Sequence, residues 1–219
     1  MNAELFNGFI IMEYIFLILI LLFSVVVHEV AHGSVAYYLG DPTAKYAGRL
    51  TLNPIKHLDP IGSVIVPLFL AIMANLTGGG IIFGWAKPVP INPYNFRDQK
   101  YGSLKVAFAG PGANLTLALI FGLALRFFPG IAAVPGLDLM FGYIVFINIL
   151  LAVFNLLPIP PLDGSHILFT FLPPEMENIK ISLSRFGIFI LLFIIFFFFH
   201  WLLLIINWIF TLIVGASFF

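Results

Sequence analysis

Long apolar runs separated by short polar segments make up most of this chain. Residues 9–39 are almost continuously apolar and stop at a Gly-Asp-Pro sequence, which is a helix-stop signal. Residues 103–128 and 139–157 are two further runs of bilayer-spanning length, joined by a turn that contains proline and glycine. Residues 186–216 are apolar again and predict either one long helix or two short helices that break near His200.

Two stretches do not fit this pattern. Residues 61–76 are apolar but short, which predicts a re-entrant segment or a short helix. Residues 81–94 include GWAKPVPINP, whose alternation and prolines favour an extended edge strand or loop. We therefore predict an all-α polytopic membrane protein with about five to six hydrophobic helices, in which residues 1–219 form a single membrane-embedded domain. A short β or extended insertion, around 44–53 and 81–94, is expected near the cytoplasmic face.

The composition supports a bilayer environment. The 219 residues are 61% hydrophobic and 9% charged, with a mean hydropathy of +1.09, whereas soluble domains are usually about 45–50% apolar and about 25% charged. Ten Lys and Arg balance ten Asp and Glu, so no surface for nucleic acid is expected. The absence of cysteine excludes disulfides and cysteine-based zinc sites. No Lys or Arg precedes the first apolar run, so we expect that run to be retained rather than cleaved as a secretory signal.

The sequence VVHEVAHG holds the first candidate chemistry. In His28-Glu29-x-x-His32 the histidines are four residues apart, so a helix brings both imidazoles to one face, where they can bind one zinc ion. Glu29 is then placed to transfer protons. Such a short motif also occurs by chance, but ionisable residues inside a membrane helix are costly and usually serve a function. A catalytic zinc has three protein ligands, so a third must come from elsewhere.

The best source of that ligand is the sequence FNLLPIPPLDGSHIL. Asn155 lies near the end of the 139–157 run, and Asp163 follows three prolines that must interrupt the helix. Interrupted backbone at membrane depth is tolerated only inside protein or beside a water-filled cavity, which indicates a site. A capped turn that merely starts the next helix is the plainer alternative, and His166 is a rival ligand three residues further on.

Other polar residues have plainer interpretations. Asn114 lies within an apolar run and is expected to form a hydrogen bond between helices. His57 lies in a polar loop and His200 among phenylalanines, so each is expected to be a loop or buried histidine rather than a ligand.

The distribution of basic residues gives an independent test of the topology. If residues 61–76 do not cross the bilayer, only Arg126 lies on one side, and the other side is the cytoplasm by the positive-inside rule. The same condition brings Asp163 to the face that holds His28, so we expect residues 61–76 to form a re-entrant or interfacial hairpin. The cytoplasmic basic residues are then Lys45, Arg49, Lys56, Lys87, Arg97, Lys100, Lys105, Lys180 and Arg185.

Four motifs, in this order, resemble the site-2 protease family of intramembrane metalloproteases, especially its short prokaryotic members without a PDZ domain. They are HEVAHG at 28–33, GWAKPVPINP at 84–93, AGPGAN at 109–114 and NLLPIPPLDG at 155–164. The resemblance covers most of the chain. It implies that Asp163 is the third zinc ligand and that Asn155 helps to hold the substrate carbonyl. It also implies that residues 110–114 pack the core helices and that residues 81–94 align an extended substrate.

The expected protein is thus a zinc metalloendopeptidase that cleaves transmembrane proteins in or near the bilayer, as in regulated intramembrane proteolysis. One Zn²⁺ per chain is expected on His28, His32 and Asp163, with Glu29 and Asn155 as catalytic residues. Its partners are the lipid bilayer and a transmembrane substrate, in the cytoplasmic (inner) membrane with the site towards the cytoplasm. A metal-ion transporter or a non-catalytic zinc-dependent scaffold is the alternative, although the first needs ligands across the whole membrane and the second has no use for Glu29.

Overall fold

The structure is a computed structural model that describes residues 3–77 and 86–218, with side chains from residue 15 onward except several between 64 and 77. These residues form mainly α-helices, namely α1 (Ala3–Tyr38), α2 (Thr43–Tyr46), α3 (Val66–Thr77), α4 (Gly102–Phe127), α5 (Leu137–Asn155), α6 (Asp163–Phe171) and α7 (Glu177–Val214). A π-helical stretch, Pro60–Ile65, leads into α3, and 3₁₀ turns occupy Pro54–His57, Pro93–Asn95, Pro129–Ile131 and Pro174–Met176.

Four of the described helices are long and apolar enough to cross a membrane: Ile15–Tyr38, Gly102–Phe127, Leu137–Asn155 and Pro174–Val214. A shorter apolar helical stretch covers Pro60–Leu70. Helix α7 runs unbroken through His200, so the C-terminal apolar region is one helix. Its 38 residues span about 57 Å, nearly twice a hydrocarbon core of about 30 Å, so α7 must extend beyond the apolar layer.

The predicted β or extended insertion around 44–53 is not confirmed, because the described residues there contain no strand. Thr43–Tyr46 form a single helical turn instead. At its start the Asp41 carboxylate accepts a hydrogen bond from the Thr43 amide (3.1 Å), and an aspartate bonded to the backbone two residues on favours a turn over a strand.

The second part of the predicted insertion, residues 81–94, lies partly outside the described residues, which resume at Ala86. Residues 86–92 are neither helical nor paired as a strand within the described part of the chain. Pro88 and Pro90 have no N–H group to contribute to a ladder. This segment, called the 86–92 loop below, is anchored by bonds to other parts of the fold.

Helices α1 and α4 pack antiparallel. Asn114 Nδ2 donates to the Ser24 carbonyl (3.2 Å), and His32 Nδ1 donates to the Val106 carbonyl (2.6 Å). Residue numbers therefore rise along α1 as they fall along α4. The C-terminal end of α1 and the N-terminal end of α4 share one end of the molecule, and the connecting residues 39–101 leave and return at that end.

The apolar core lies between α4, α5 and α7. Gly122 allows α7 to approach α4 closely, since an added Cβ would lie 2.5 Å from the Ile213 side chain. Arg126 Nη1 donates to the Leu212 carbonyl (2.9 Å), which fixes the C-terminal end of α7 against that of α4. The buried members of this core are Ala118, Val145, Ile149, Leu202, Ile206, Phe210 and Ile213.

Gly40 and Asp41 end α1 and hold the loop that returns over it. Gly40 has φ +110°, a conformation that strains any residue with a side chain, so the chain turns away just after Tyr38. The fully buried Asp41 carboxylate accepts hydrogen bonds from the Asn92 amide (2.7 Å) and from Asn95 Nδ2 (2.8 Å). These bonds bring the end of the 86–92 loop to the C-terminal end of α1.

Candidate metal centre

His28 and His32 project from the C-terminal half of α1, one turn apart and almost fully buried. His28 Nδ1 donates to Asn114 Oδ1 and His32 Nδ1 to the Val106 carbonyl, both at 2.6 Å. With the protons on Nδ1, each Nε2 presents a free lone pair, and the two Nε2 atoms lie 3.0 Å apart. Two unprotonated nitrogens at this distance are suited to sharing a cation.

Asp163 reaches the two histidines from the first residue of α6. Its Oδ2 lies 3.1 Å from His28 Nε2 and 3.2 Å from His32 Nε2. This oxygen is buried and accepts no hydrogen bond from any described residue. Three lone-pair atoms from two distant parts of the chain therefore converge on one point.

Two glycines hold the loop that carries Asp163. A Cβ added at Gly164 would overlap the Leu156 carbonyl at the end of α5. A Cβ added at Gly187 of α7 would overlap the Pro160 carbonyl. Both contacts require a residue without a side chain, so the proline-containing loop is wedged between α5 and α7 and Asp163 has a fixed position.

The arrangement of the three atoms fits zinc. A tetrahedral Zn²⁺ with bonds of about 2.0–2.1 Å places its ligand atoms about 3.3–3.4 Å apart. The separations of 3.0, 3.1 and 3.2 Å come close to that value. His28, His32 and Asp163 are the metal-ligating cluster found among the described residues. Two imidazoles and a carboxylate, with a fourth position left open, match the donor set of a catalytic rather than a structural zinc.

Gly110 of α4 lies against the two imidazoles. A Cβ added at Gly110 would lie 2.6 Å from His28 Nε2 and closer still to His32 Nε2. The missing side chain thus lets α4 pack directly against both histidines. A larger residue here would displace them from the arrangement that brings both Nε2 atoms to Asp163.

Glu29 lines the same cavity as His28, His32 and Asp163 and is held by the 86–92 loop. The Val89 amide donates to Glu29 Oε2 (2.7 Å). The loop is itself anchored, since the Lys87 amide donates to the His57 carbonyl (2.9 Å) and the buried Arg49 donates to the Lys87 carbonyl (2.6 Å). Glu29 therefore has a fixed carboxylate in the cavity that the three candidate ligands share.

A cavity of about 400 Å³ opens onto these groups. Asn155 lines it, and its Nδ2 donates one hydrogen bond to the Leu151 carbonyl (2.9 Å), which leaves the second N–H of that amide for another acceptor. His166 lines it too, but is not among the three converging ligands. The other lining residues are His28, Glu29, His32, Pro88, Val89, Ile91, Pro93, Phe96, Ser103, Val106, Ala107, Pro161 and Asp163.

The five site residues expected from the sequence thus share one cavity, and Asn114 forms the expected bond between helices. His57 is a fully buried loop histidine that bonds to the Thr51 carbonyl (2.8 Å), whereas His200 is exposed on α7. No motif singles out Asn148, which lies behind Asn114. The sequence did contain a signal for Asn148, because an amide side chain within an apolar helix needs hydrogen-bond partners when it is buried, and Asn148 is fully buried.

Comparison with known proteins adds to this geometry. The family model described as "Peptidase family M50" matches residues 130–194, which include α5, α6 and Asp163. A protein of Bacillus subtilis (strain 168) named "Putative zinc metalloprotease YwhC" is 40% identical over 202 residues, covering 89% of this chain and 86% of that protein.

More distant relatives carry the same kind of name. "Putative zinc metalloprotease Rip2" of Mycolicibacterium smegmatis is 33% identical over 86% of this chain and 70% of that protein. "Putative zinc metalloprotease MJ0611" of Methanocaldococcus jannaschii is 36% identical over 40% of this chain and 46% of that protein. No solved structure is significantly similar to the chain.

Proposed function

The chain belongs to peptidase family M50, the site-2 protease family, and from this premise we propose that it is a zinc metalloendopeptidase that hydrolyses peptide bonds in or near transmembrane segments. The observation that carries the proposal is the convergence of His28, His32 and Asp163 beside Glu29. We assign the three as zinc ligands, with one Zn²⁺ per chain, and we assign Glu29 and Asn155 to catalysis.

When bound, zinc supplies a Lewis acid that polarises the scissile carbonyl and lowers the pKa of a coordinated water towards about 7. Glu29 takes a proton from the attacking water as the new C–O bond forms. It then passes this proton to the amine nitrogen as the C–N bond breaks. Asn155 donates its free N–H to the oxyanion that develops on the carbonyl.

Substrate alignment is proposed along the 86–92 loop. The Lys87 and Val89 amides are already bonded within the fold, and Pro88 and Pro90 have none. All backbone donors between residues 87 and 90 are thus used or missing. An extended substrate that lies along residues 87–90 can therefore bond to their backbone only by donating its own amides to their carbonyls. Such a substrate needs free N–H groups, so this arrangement favours a transmembrane segment whose helix has locally unwound.

The membrane placement follows from the helices and their ends. Tyr37 and Tyr38 are exposed at the end of α1, and Tyr94 is exposed on the returning loop, as expected of aromatic side chains at a membrane–water interface. His32 lies six residues before Tyr38, about 9 Å deeper. We therefore propose that the site lies within the membrane near one face, and the basic residues of the connecting segment support a cytoplasmic location for that face.

The same placement makes α3 a re-entrant or interfacial helix. Together with the π-helical stretch that leads into it, the helical segment 60–77 spans at most about 27 Å, slightly less than a hydrocarbon core of about 30 Å. Because residues 39–101 leave and return at one end of the molecule, they need no crossing. Four spans, with the ligands of α1 and α6 at one face, then complete the topology.

The test compares wild type with Glu29→Gln in detergent, measuring bound zinc and cleavage of a model transmembrane substrate. Gln can still accept the hydrogen bond from the Val89 amide, so the fold and the zinc should be retained. Cleavage should fall by about 10²- to 10⁴-fold, the usual contribution of a general base. Glu175→Gln, in an exposed turn away from the cavity, is the matched control.

Three results would contradict this proposal. Undiminished cleavage by Glu29→Gln would show that Glu29 is not the catalytic base. Wild type that binds zinc but cleaves no transmembrane substrate would favour a non-catalytic scaffold, and zinc flux through reconstituted vesicles would favour a transporter.

A further inference from the structure

A chain of side-chain amides runs from His28 to a residue that belongs to none of the motifs. His28 Nδ1 donates to Asn114 Oδ1 (2.6 Å), and Asn114 Nδ2 donates to Asn148 Oδ1 (2.8 Å) and to the Ser24 carbonyl (3.2 Å). Asn148 Nδ2 donates to Ser24 Oγ (2.9 Å) and to the Ile144 carbonyl (2.8 Å). Both asparagines have no solvent-exposed surface. Helices α1, α4 and α5 are thus joined by one buried network behind the metal ligands.

Backbone carbonyls fix the direction of this network. The Ser24 and Ile144 carbonyls can only accept, so each must face the NH₂ group of its asparagine. Rotating either amide by half a turn would place two oxygens against each other inside an apolar core, which is strongly unfavourable. Asn114 therefore turns its oxygen towards His28, and His28 must carry its proton on Nδ1.

This constraint matters for the metal because a histidine that binds zinc through Nε2 needs that nitrogen unprotonated. In neutral imidazole only one nitrogen carries a proton, and the partner of the other nitrogen decides which. Asn148 does not contact His28. Its Oδ1 is the group that, together with the Ser24 carbonyl, holds the Asn114 amide in the required orientation.

We propose that Asn148 is a positioning residue for the metal centre, which acts through Asn114 to hold His28 in the tautomer and orientation that bind zinc. This inference rests on the proposed zinc function. A purely structural role would differ in its consequences, since interhelical hydrogen bonds in membrane proteins contribute to stability without any link to metal affinity.

The test measures zinc affinity by chelator competition, and the melting temperature of the metal-free protein, for four variants beside wild type. Asn114→Leu should weaken zinc binding by about 10- to 100-fold and Asn148→Leu by about 10-fold, the range usual for partners of ligating histidines. The double variant should bind zinc no more weakly than Asn114→Leu alone, because Asn148 acts only through Asn114. Asn207→Leu removes an amide on α7 that bonds to the Phe218 amide, and should leave zinc affinity unchanged.

Wild-type zinc affinity in Asn148→Leu, even with a lower melting temperature, would overturn the proposal. So would a double variant whose fold-loss in zinc affinity is the product of the two single fold-losses. If Asn148→Leu does not fold, Ser24→Ala replaces it, since it removes one acceptor of the Asn148 amide and should weaken zinc binding in the same direction. Unchanged affinity in Ser24→Ala would then refute the role. Failure of wild type to bind zinc would instead overturn the proposed function itself.

Discussion

Replacing Gly110 by alanine should remove zinc while leaving the fold intact. The added methyl carbon would lie 2.6 Å from His28 Nε2, about 0.8 Å short of an ordinary 3.4 Å contact, and it would be closer still to His32 Nε2. Either a histidine must turn away or α4 must retreat from α1.

Retreat of α4 is opposed on both sides of Gly110. The Val106 carbonyl, one turn before it, accepts from His32, and Asn114, one turn after it, accepts from His28. A shift of about 0.8 Å would stretch two buried 2.6 Å hydrogen bonds beyond their normal range. We therefore expect the histidine geometry to give way, and zinc affinity to fall by at least about 100-fold.

The matched control is Gly112→Ala on the same helix, where an added Cβ meets nothing within 4 Å. Alanine is favoured over glycine inside a helix by about 0.5–1 kcal/mol, so this control should be as stable as wild type or slightly more so. The assay is zinc stoichiometry of the purified protein, a chelator titration, and the melting temperature of metal-free samples. Gly110→Ala that binds one zinc with wild-type affinity would refute the claim that close packing of α4 holds the two histidines in their zinc-binding arrangement.

Three further results are expected. Asp163→Ala should lose stoichiometric zinc while His166→Ala retains it, and the reverse pattern would make His166 the third ligand. Gly187→Ala should displace the proline loop that carries Asp163 and weaken zinc binding by about 10-fold, so unchanged affinity would mean that the loop is not wedged. Burial raises the pKa of Asp41, but hydrogen bonds from a threonine and two asparagines outweigh it and hold the pKa below its usual 3.8. The stabilisation by the Asp41 carboxylate is therefore present above about pH 4 and lost as pH falls through the lower folded-state pKa. The protection of the Asn92 amide from hydrogen exchange should fall in that acid range, and it should also be lost in Asp41→Ala at neutral pH. An Asn92 amide that stays protected in Asp41→Ala at neutral pH would contradict this.

The helices and the ligand motif could be predicted because they depend on local patterns. An apolar run of bilayer length forms a helix almost regardless of its neighbours, and spacing of four places His28 and His32 on one face. A count of crossings indicated that Asp163 reaches the face that holds them, and the preference for Asp163 over His166 came from the family resemblance. The exact bounds of α7 could not be predicted in this way, because an apolar pattern does not show where a helix leaves the membrane.

The parts that could not be predicted depend on contacts between distant backbone groups. The Val89 amide that holds Glu29 has no side-chain signal, because its donor is common to nearly every residue. The alternating prolines and apolar residues favoured either an extended edge strand or a loop for this segment. They could not show that the amides of Lys87 and Val89 bond to other parts of the fold. In the sequence, Asn148 is an isolated amide within an apolar run. Its hydrogen-bond partners could be identified only from the packing of α1, α4 and α5.

The most direct test of the account is the position and chemistry of the cut. Wild type reconstituted in proteoliposomes with a model transmembrane substrate would be incubated in ¹⁸O-labelled water, and the products examined by mass spectrometry. Hydrolysis in or beside the transmembrane segment predicts one new amino terminus there and one ¹⁸O in the new carboxylate. A substrate that stays intact, or products that form equally with Glu29→Gln, would contradict the claim that this membrane-embedded site is a protease.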